Sequence, residues 1–307
     1  MTEEQYAILD SPGVMEDAQA TAFPAGNRSA AVSQLVESVS EGHCVSSDDN
    51  RPIYLETKDL AVGYDGVPLL TDVNIQLHAG EIMTLIGPNG AGKSTILKSI
   101  VGYLESLGGA VLISGRPVGD LSSHELSLEL SVMLTERMRI ELLTCADIVE
   151  TGRYPYTGRL GILSDEDREK VREAMDMVHV WDLSDRDFMQ ISDGQRQRIM
   201  LARAIAQEPH VIMLDEPTNY LDIHYQIELL NVLRRLVRTR DVAVIMSLHE
   251  LPLARKVSNW VMCIKGDGVV AAGPPEDIFI PAVIDELYDL EPGTYDPVSG
   301  NVVLEEL

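Results

Sequence analysis

Cysteine, lysine, arginine and aromatic side chains are all scarce in this chain of 307 residues. Its three cysteines, Cys44, Cys145 and Cys263, lie far apart with no C-x-x-C pair, which argues against a disulfide framework or a zinc knuckle and fits free thiols in a reducing compartment. Lys and Arg number 24 against 49 Asp and Glu, a formal charge of −25. A protein that lives on phosphate-backbone contacts carries the opposite balance, so no nucleic-acid partner is expected. No apolar run approaches the roughly 18–20 residues of a membrane span, and the first thirty residues lack the basic and apolar regions of an export signal. The expectation is a chain that neither crosses a membrane nor is exported.

What is present is an apolar fraction of 45%, enough for a sizeable core. The acid is concentrated at the ends: residues 1–50 hold nine Asp or Glu and one Arg, and residues 276–307 hold nine and no Lys or Arg. Residues 1–51, rich in Ser, Ala, Gly and acid, read as a disordered N-terminal extension. Residues 276–307 read as a second acidic extension, both ends being solvated and self-repelling.

Between them the texture changes. Residues 53–57 (I-Y-L-E-T) and 74–77 (N-I-Q-L) alternate as strands and predict an antiparallel edge sheet. Short continuous apolar runs follow at 82–86, 111–113, 131–134, 211–214, 242–246 and 260–264, as in strands buried on both faces of an α/β sheet. From about 121 to 206 helical periods dominate, including 165–178 after a Ser164 N-cap. The fold class is therefore α/β: a mainly parallel core sheet, an antiparallel β edge subdomain and an inserted helical subdomain.

The run 82–86 leads into Gly87-Pro88-Asn89-Gly90-Ala91-Gly92-Lys93-Ser94, and Thr95 continues into a helix. This satisfies G-x-x-x-x-G-K-[ST] in the strand, loop and helix order a phosphate-binding loop requires. Glycines let successive main-chain N–H groups turn inward around a β-phosphate, the helix N-terminus adds positive dipole, Lys93 reaches the β and γ phosphates, and Ser94 suits Mg²⁺. A second apolar run ends in Asp215-Glu216. Two carboxylates there are either surface acids capping a strand or, beside Lys93, a metal-shell acid and a base for an attacking water. Ile191-Ser192-Asp193-Gly194-Gln195 opens a further helix; Ser192 is read as an N-cap, and its hydroxyl with the Gly194 amide also makes an anion site.

This set resembles the nucleotide-binding subunit of an ATP-binding cassette transporter. The phosphate loop, the I-S-D-G-Q signature at 191–195, the V-I-M-L-D-E strand, E-P-T-N-Y-L-D at 216–222 and S-L-H at 247–249 fall in that family's order and spacing. The resemblance covers about residues 53–300 and makes 52–275 the ATP-binding domain. It implies ATP and Mg²⁺ as cofactors, Glu216 as catalytic base and His249 as a switch histidine contacting the γ-phosphate. It further implies metal-shell roles for Ser94 and Asp215, Asp222 as an acid communicating between two sites, and Tyr64 as an adenine-stacking aromatic. Tyr64 also reads as a turn tyrosine packed on the edge sheet. Such subunits work as head-to-tail dimers, so Ser192, Gly194 and Gln195 of one chain would close over ATP held by the other.

Two positions depart from the family pattern. Asp193 stands where it usually has glycine, and Thr135 or Glu136 where a glutamine reaches the metal, Thr135 being the expected occupant. Two shorter stretches, 147–158 with its G-R-Y-P and 295–303 with its D-P-V-S-G, are similar to importers of iron siderophores, haem and vitamin B12; as bare sequence they are equally a loop and a terminal hairpin. The resemblance implies a second copy, permease subunits, an extracytoplasmic binding protein and a place on the cytoplasmic face of the cell membrane. The competing class is a soluble cassette ATPase of the iron-sulfur assembly type.

Overall fold

The computed structural model describes residues 51–134, 142–158, 161–266 and 268–303. Strands β1 (Ile53–Tyr64) and β2 (Val67–His78) form a long antiparallel hairpin. Its two-residue turn, Asp65-Gly66, takes positive φ at both positions, the geometry that Asp-Gly supplies at least strain. β4 (Gly108–Ile113) and β5 (Arg116–Pro117) complete this four-stranded sheet in the order β2-β1-β4-β5.

The second sheet has six strands in the order β10-β9-β3-β8-β7-β6: β3 (Ile82–Ile86), β6 (Leu130–Met133), β7 (Val211–Leu214), β8 (Ala243–Ser247), β9 (Trp260–Lys265) and β10 (Gly268–Gly273). All its pairings are parallel except β9 with β10. Successive residues of these strands serve two cores. Met83, Leu85, Met213, Ile245 and Met262 face the antiparallel sheet and α1 (Lys93–Ile100). Ile82, Ile86, Leu214, Met246 and Cys263 face a core shared with the helices that follow. Both faces being covered, the strands read as unbroken apolar runs.

The helices are α2 (Ser123–Glu129), α3 (Cys145–Glu150), α4 (Asp165–Met177), α5 (Asp193–Ala206), α6 (Ile223–Arg240), α7 (Leu251–Val257), α8 (Pro275–Ile278) and α9 (Pro281–Leu287). Capping boxes start four of them: Ser122 with Glu125, Thr144 with Asp147, Ser164 with Asp167 and Ser192 with Gln195. Each satisfies two otherwise unpaired N–H groups.

Two sequence expectations are corrected. The run 111–113 belongs to the antiparallel sheet, with only Ile113 fully buried; three apolar residues are too few to tell two-sided from one-sided burial. The strand expected at 131–134 is β6, which runs through the mainly helical segment 121–206 as the edge of the main sheet. The acidic stretch after 275 is not a solvated tail. Ile278, Phe279, Val283, Ile284, Leu287 and Tyr295 are buried in the helix-side core, and strands β11 (Tyr295–Asp296) and β12 (Asn301–Val302) close it. Acid alternates there with apolar residues at helical spacing, so net charge hid the buried face. Cys145 and Cys263 are buried free thiols, and burial pushes the Cys145 thiol up to about 11, which leaves it protonated and unreactive. Cys44 lies outside the described residues, and among those described no helix is long and apolar enough to cross a membrane.

Candidate active site

The ends of three neighbouring strands, β3, β8 and β7, converge at the carboxyl edge of the parallel sheet, where open α/β sheets bind ligands. β3 delivers the phosphate loop. Gly87 adopts a φ of 147°, and a β-carbon there would lie 2.0 Å from the Ile264 carbonyl oxygen, so only glycine fits. Gly92, at φ 103°, packs against Leu70, whose Cδ1 would lie 2.6 Å from a β-carbon there. Pro88, Asn89, Gly90 and Ala91 form the body of the loop, and Lys93, Ser94 and Thr95 open α1.

Lys93 is buried and folds back so that its Nζ donates to the carbonyls of Gly87 at 2.8 Å and Pro88 at 2.9 Å. Burial lowers its pKa, against the pull of the Glu216 and Asp215 carboxylates. A phosphate arriving there would favour the charged form that burial disfavours.

β7 delivers the acids. Asp215 is buried, and its Oδ1 accepts from Ser94 Oγ at 2.9 Å and from Ser247 Oγ at 2.8 Å. Ser247 in turn accepts the main-chain N–H of Glu216 at 2.8 Å. Glu216 takes a left-handed φ of 49°, a strained setting for a residue with a β-carbon. Its carboxylate is held at both oxygens, by His249 Nε2 at 2.7 Å and by the Asn219 side-chain amide. A carboxylate can only accept, so His249 carries its proton on Nε2.

Ser192 and Gln195 hydrogen-bond to each other as the cap of α5, Ser192 N–H to Gln195 Oε1 at 2.9 Å and Gln195 N–H to Ser192 Oγ at 3.2 Å. Within one chain this segment touches the acid loop. A β-carbon on Gly194 would lie 3.1 Å from the Tyr220 carbonyl oxygen, and Gln197 Nε2 donates to the carbonyl of Pro217 at 3.1 Å. A phosphate cradle, two acids and a histidine thus meet at one sheet edge, with a second capped helix start tied to the acid loop.

Residues 70–219 match the ABC transporter family. A probable siderophore transport system ATP-binding protein of Bacillus subtilis is 36% identical over 247 residues, 80% of this chain and 90% of that one. A hemin import ATP-binding protein of Streptomyces coelicolor is 37% identical over 230 residues, 75% of this chain and 81% of the relative. The chain belongs to the ABC transporter ATP-binding family. The dimeric structure of a bacterial ABC transporter cassette superposes with a TM-score of 0.65 at 26% identity, covering 72% of this chain and 98% of that cassette. The ABC fold expected from the motifs is thus present, and the protein is an ATP-binding, ATP-hydrolysing cassette.

In this cassette Tyr64 is half exposed on the hairpin end, its hydroxyl 3.1 Å from Thr95 Oγ1, which places the ring beside the phosphate-loop helix. Asp222 caps α6, Oδ1 accepting Tyr225 N–H at 3.2 Å. Thr135 and Glu136 lie outside the described residues. Asp193 turns along its own helix to Arg196, with Oδ1 2.8 Å from Nη1, and Arg196 also donates to the Phe188 and Met189 carbonyls. Because that carboxylate already has a guanidinium partner at a partly exposed position, Asp193→Asn is expected to change ATP turnover by no more than about twofold. Phosphate-release assays on the two proteins check this, and a larger rise would place the carboxylate against the triphosphate.

Ser247, Asn219 and Gln197 went unread as functional residues. Ser247 had one signal, a lone hydroxyl at the end of an otherwise apolar strand; the other two had none beyond lying in matched stretches.

Proposed function

We propose that this cassette hydrolyses ATP in a head-to-tail dimer on the cytoplasmic face of the membrane, driving uptake of a metal chelate (a ferric siderophore, haem or cobalamin) through partner permease subunits fed by an extracytoplasmic binding protein. The observation that carries the dimer is the split site. The Ser192–Gln195 cap is an anion-binding helix start whose contacts in its own chain run to the acid loop, leaving it to meet ATP held by Lys93 of a second copy. The chelate class is supported by the stretches 147–158 and 295–303 and by the siderophore and hemin relatives.

Ser94 and Asp215 present a hydroxyl and a carboxylate within hydrogen-bond reach of each other, an oxygen donor pair that fits Mg²⁺. The bound ion would neutralise charge on the β and γ phosphates. Lys93 exchanges its two carbonyl partners for phosphate oxygens. Glu216 takes the proton as water attacks the γ-phosphorus and the bond from that phosphorus to the bridging oxygen breaks, the oxygen leaving with ADP, while His249 keeps the carboxylate oriented and Ser247 fixes the Glu216 main chain. Gly194 N–H and Ser192 Oγ of the second chain stabilise the spreading negative charge.

The permease is expected to dock over about residues 136–156. Tyr154 is exposed there, whereas Arg153 is buried and serves the cassette's own packing; Arg159 lies outside the described residues. The test is to coexpress the chain with its candidate permease, extract in mild detergent, and measure ATPase activity with binding proteins loaded with ferric siderophore, haem or cobalamin. A membrane complex stimulated by one of them names the cargo. Hydrolysis without any membrane complex, or with a soluble partner, replaces this reading with the assembly-type ATPase.

A further inference from the structure

Ser247 is the one polar residue of β8, and it is fully buried. Ala243 and Ile245 face the antiparallel sheet and α1, so alternation puts the Ser247 side chain on that same face, at the carboxyl end of the strand. β7 and β8 pair as far as Leu214 opposite Met246. There β7 ends, and Asp215 and Glu216 leave the ladder. The Ser247 hydroxyl binds both of them. Its Oγ donates to Asp215 Oδ1 at 2.8 Å and accepts the Glu216 main-chain N–H at 2.8 Å. A carboxylate has no proton to give, so the single hydroxyl proton is committed to Asp215 and a lone pair is left for the amide. The same Asp215 oxygen accepts from Ser94 Oγ at 2.9 Å, which links the phosphate-loop helix, the metal-shell acid and the base through side chains of three elements. Glu216 meanwhile holds a φ of 49°, a setting that persists only where its surroundings impose it.

We propose that Ser247 is a positioning residue for ATP hydrolysis: one hydroxyl fixes the peptide that carries the base to the acid of the metal shell, and so sets the spacing of the two carboxylates. Its role depends on Glu216 being the base. His249 Nε2 and the Asn219 amide hold the far end of the Glu216 side chain, and Ser247 holds its root. With the root released, the peptide can leave its left-handed setting and the carboxylate loses its line to the attacking water. The phosphate loop keeps its own contacts, which run from Lys93 to the Gly87 and Pro88 carbonyls. Loss of the hydroxyl therefore acts on the chemical step far more than on nucleotide binding.

The experiment uses the full chain as wild type, Ser247→Ala, Ser247→Cys, Glu216→Gln, and each Ser247 variant combined with Glu216→Gln. Cysteine keeps a similar shape with a much weaker hydrogen-bonding group, so either Ser247 variant that folds carries the test. ATP turnover gives kcat and KM, single-turnover hydrolysis reaches the slow Gln variants, ADP titration by calorimetry gives Kd, and melting curves report the fold. Ser247→Ala is expected to lower kcat by about 10- to 100-fold, and Ser247→Cys by less, with KM and the Kd for ADP within about threefold of wild type. In the Glu216→Gln background the same changes should cost less than about threefold, because the group they position is already gone. A hydroxyl that only satisfied a stray N–H would lower the melting temperature and leave kcat alone, and that result overturns the proposal. So does an equal loss of rate in both backgrounds, or a rise in the Kd for ADP as large as the fall in kcat. Turnover above about a tenth of wild type in Glu216→Gln alone would remove the base itself, whereas an equal loss beside a slow Glu216→Gln removes only the part given to Ser247.

Discussion

Glu216→Gln lowers ATP turnover by about 10²- to 10⁴-fold and leaves nucleotide bound. The change keeps shape and removes the carboxylate proposed as the base that takes a proton from water. It also disturbs the ground state in a defined way. Both Glu216 oxygens now accept, from His249 Nε2 and from the Asn219 amide, and a glutamine amide would turn a donor toward one of those donors. Lys93 loses one of the two carboxylates that oppose its desolvation, so its pKa falls further in the empty site and binding of a phosphate becomes the stronger compensation. Phosphate release at saturating Mg-ATP reads the first effect and ADP titration the second. A variant that keeps more than about a tenth of wild-type turnover would remove Glu216 from the role of base.

The parts of this molecule that announced themselves were those where one short stretch carries its whole meaning. The phosphate loop needs glycine at 87, where the Ile264 carbonyl leaves no room for a β-carbon, and at 92, where φ is 103°, and the same stretch carries Lys93 and Ser94. The strands at 82–86 and 211–214 matched their runs residue for residue, since a two-sided strand has no exposed position to blur its ends. What stayed hidden depended on contacts between distant residues. Ser247 acts through Asp215 and Glu216, 32 and 31 positions away. The acidic C-terminal stretch packs through residues spaced at helical intervals, which net charge averages away. Arg153 lies in the stretch 147–158, and nothing in the residues around it shows the carboxylates that fold over it.

Those carboxylates make Arg153→Ala the largest expected loss of stability, about 3–5 kcal/mol. The side chain is 4% exposed, and it ties together three elements. Its Nε donates to Asp167 Oδ1 at 3.0 Å on α4, and its Nη1 to the Ala206 carbonyl at 2.7 Å and Glu208 at 2.9 Å beyond α5. The guanidinium lies 3.9 Å from the centre of the Tyr156 ring. Removing it strands Asp167, itself buried, with only the Ser164 cap as partner. Urea unfolding of the two proteins at pH 7 checks the size, and a difference below about 1 kcal/mol would mean that the buried pair contributes no more than a surface one. The pH dependence has a fixed sign. Burial alone would raise Asp167, but the Ser164 hydrogen bonds and the Arg153 guanidinium more than offset it and hold the carboxyl below the usual aspartate range. A depressed folded pKa gives stability that is present above the unfolded value near 4 and is lost as pH falls through the folded one. The gap between wild type and Arg153→Ala should therefore be full at neutral pH and narrow below about pH 4. A gap that instead widened on acidification would show that Asp167 is not the group Arg153 holds ionised.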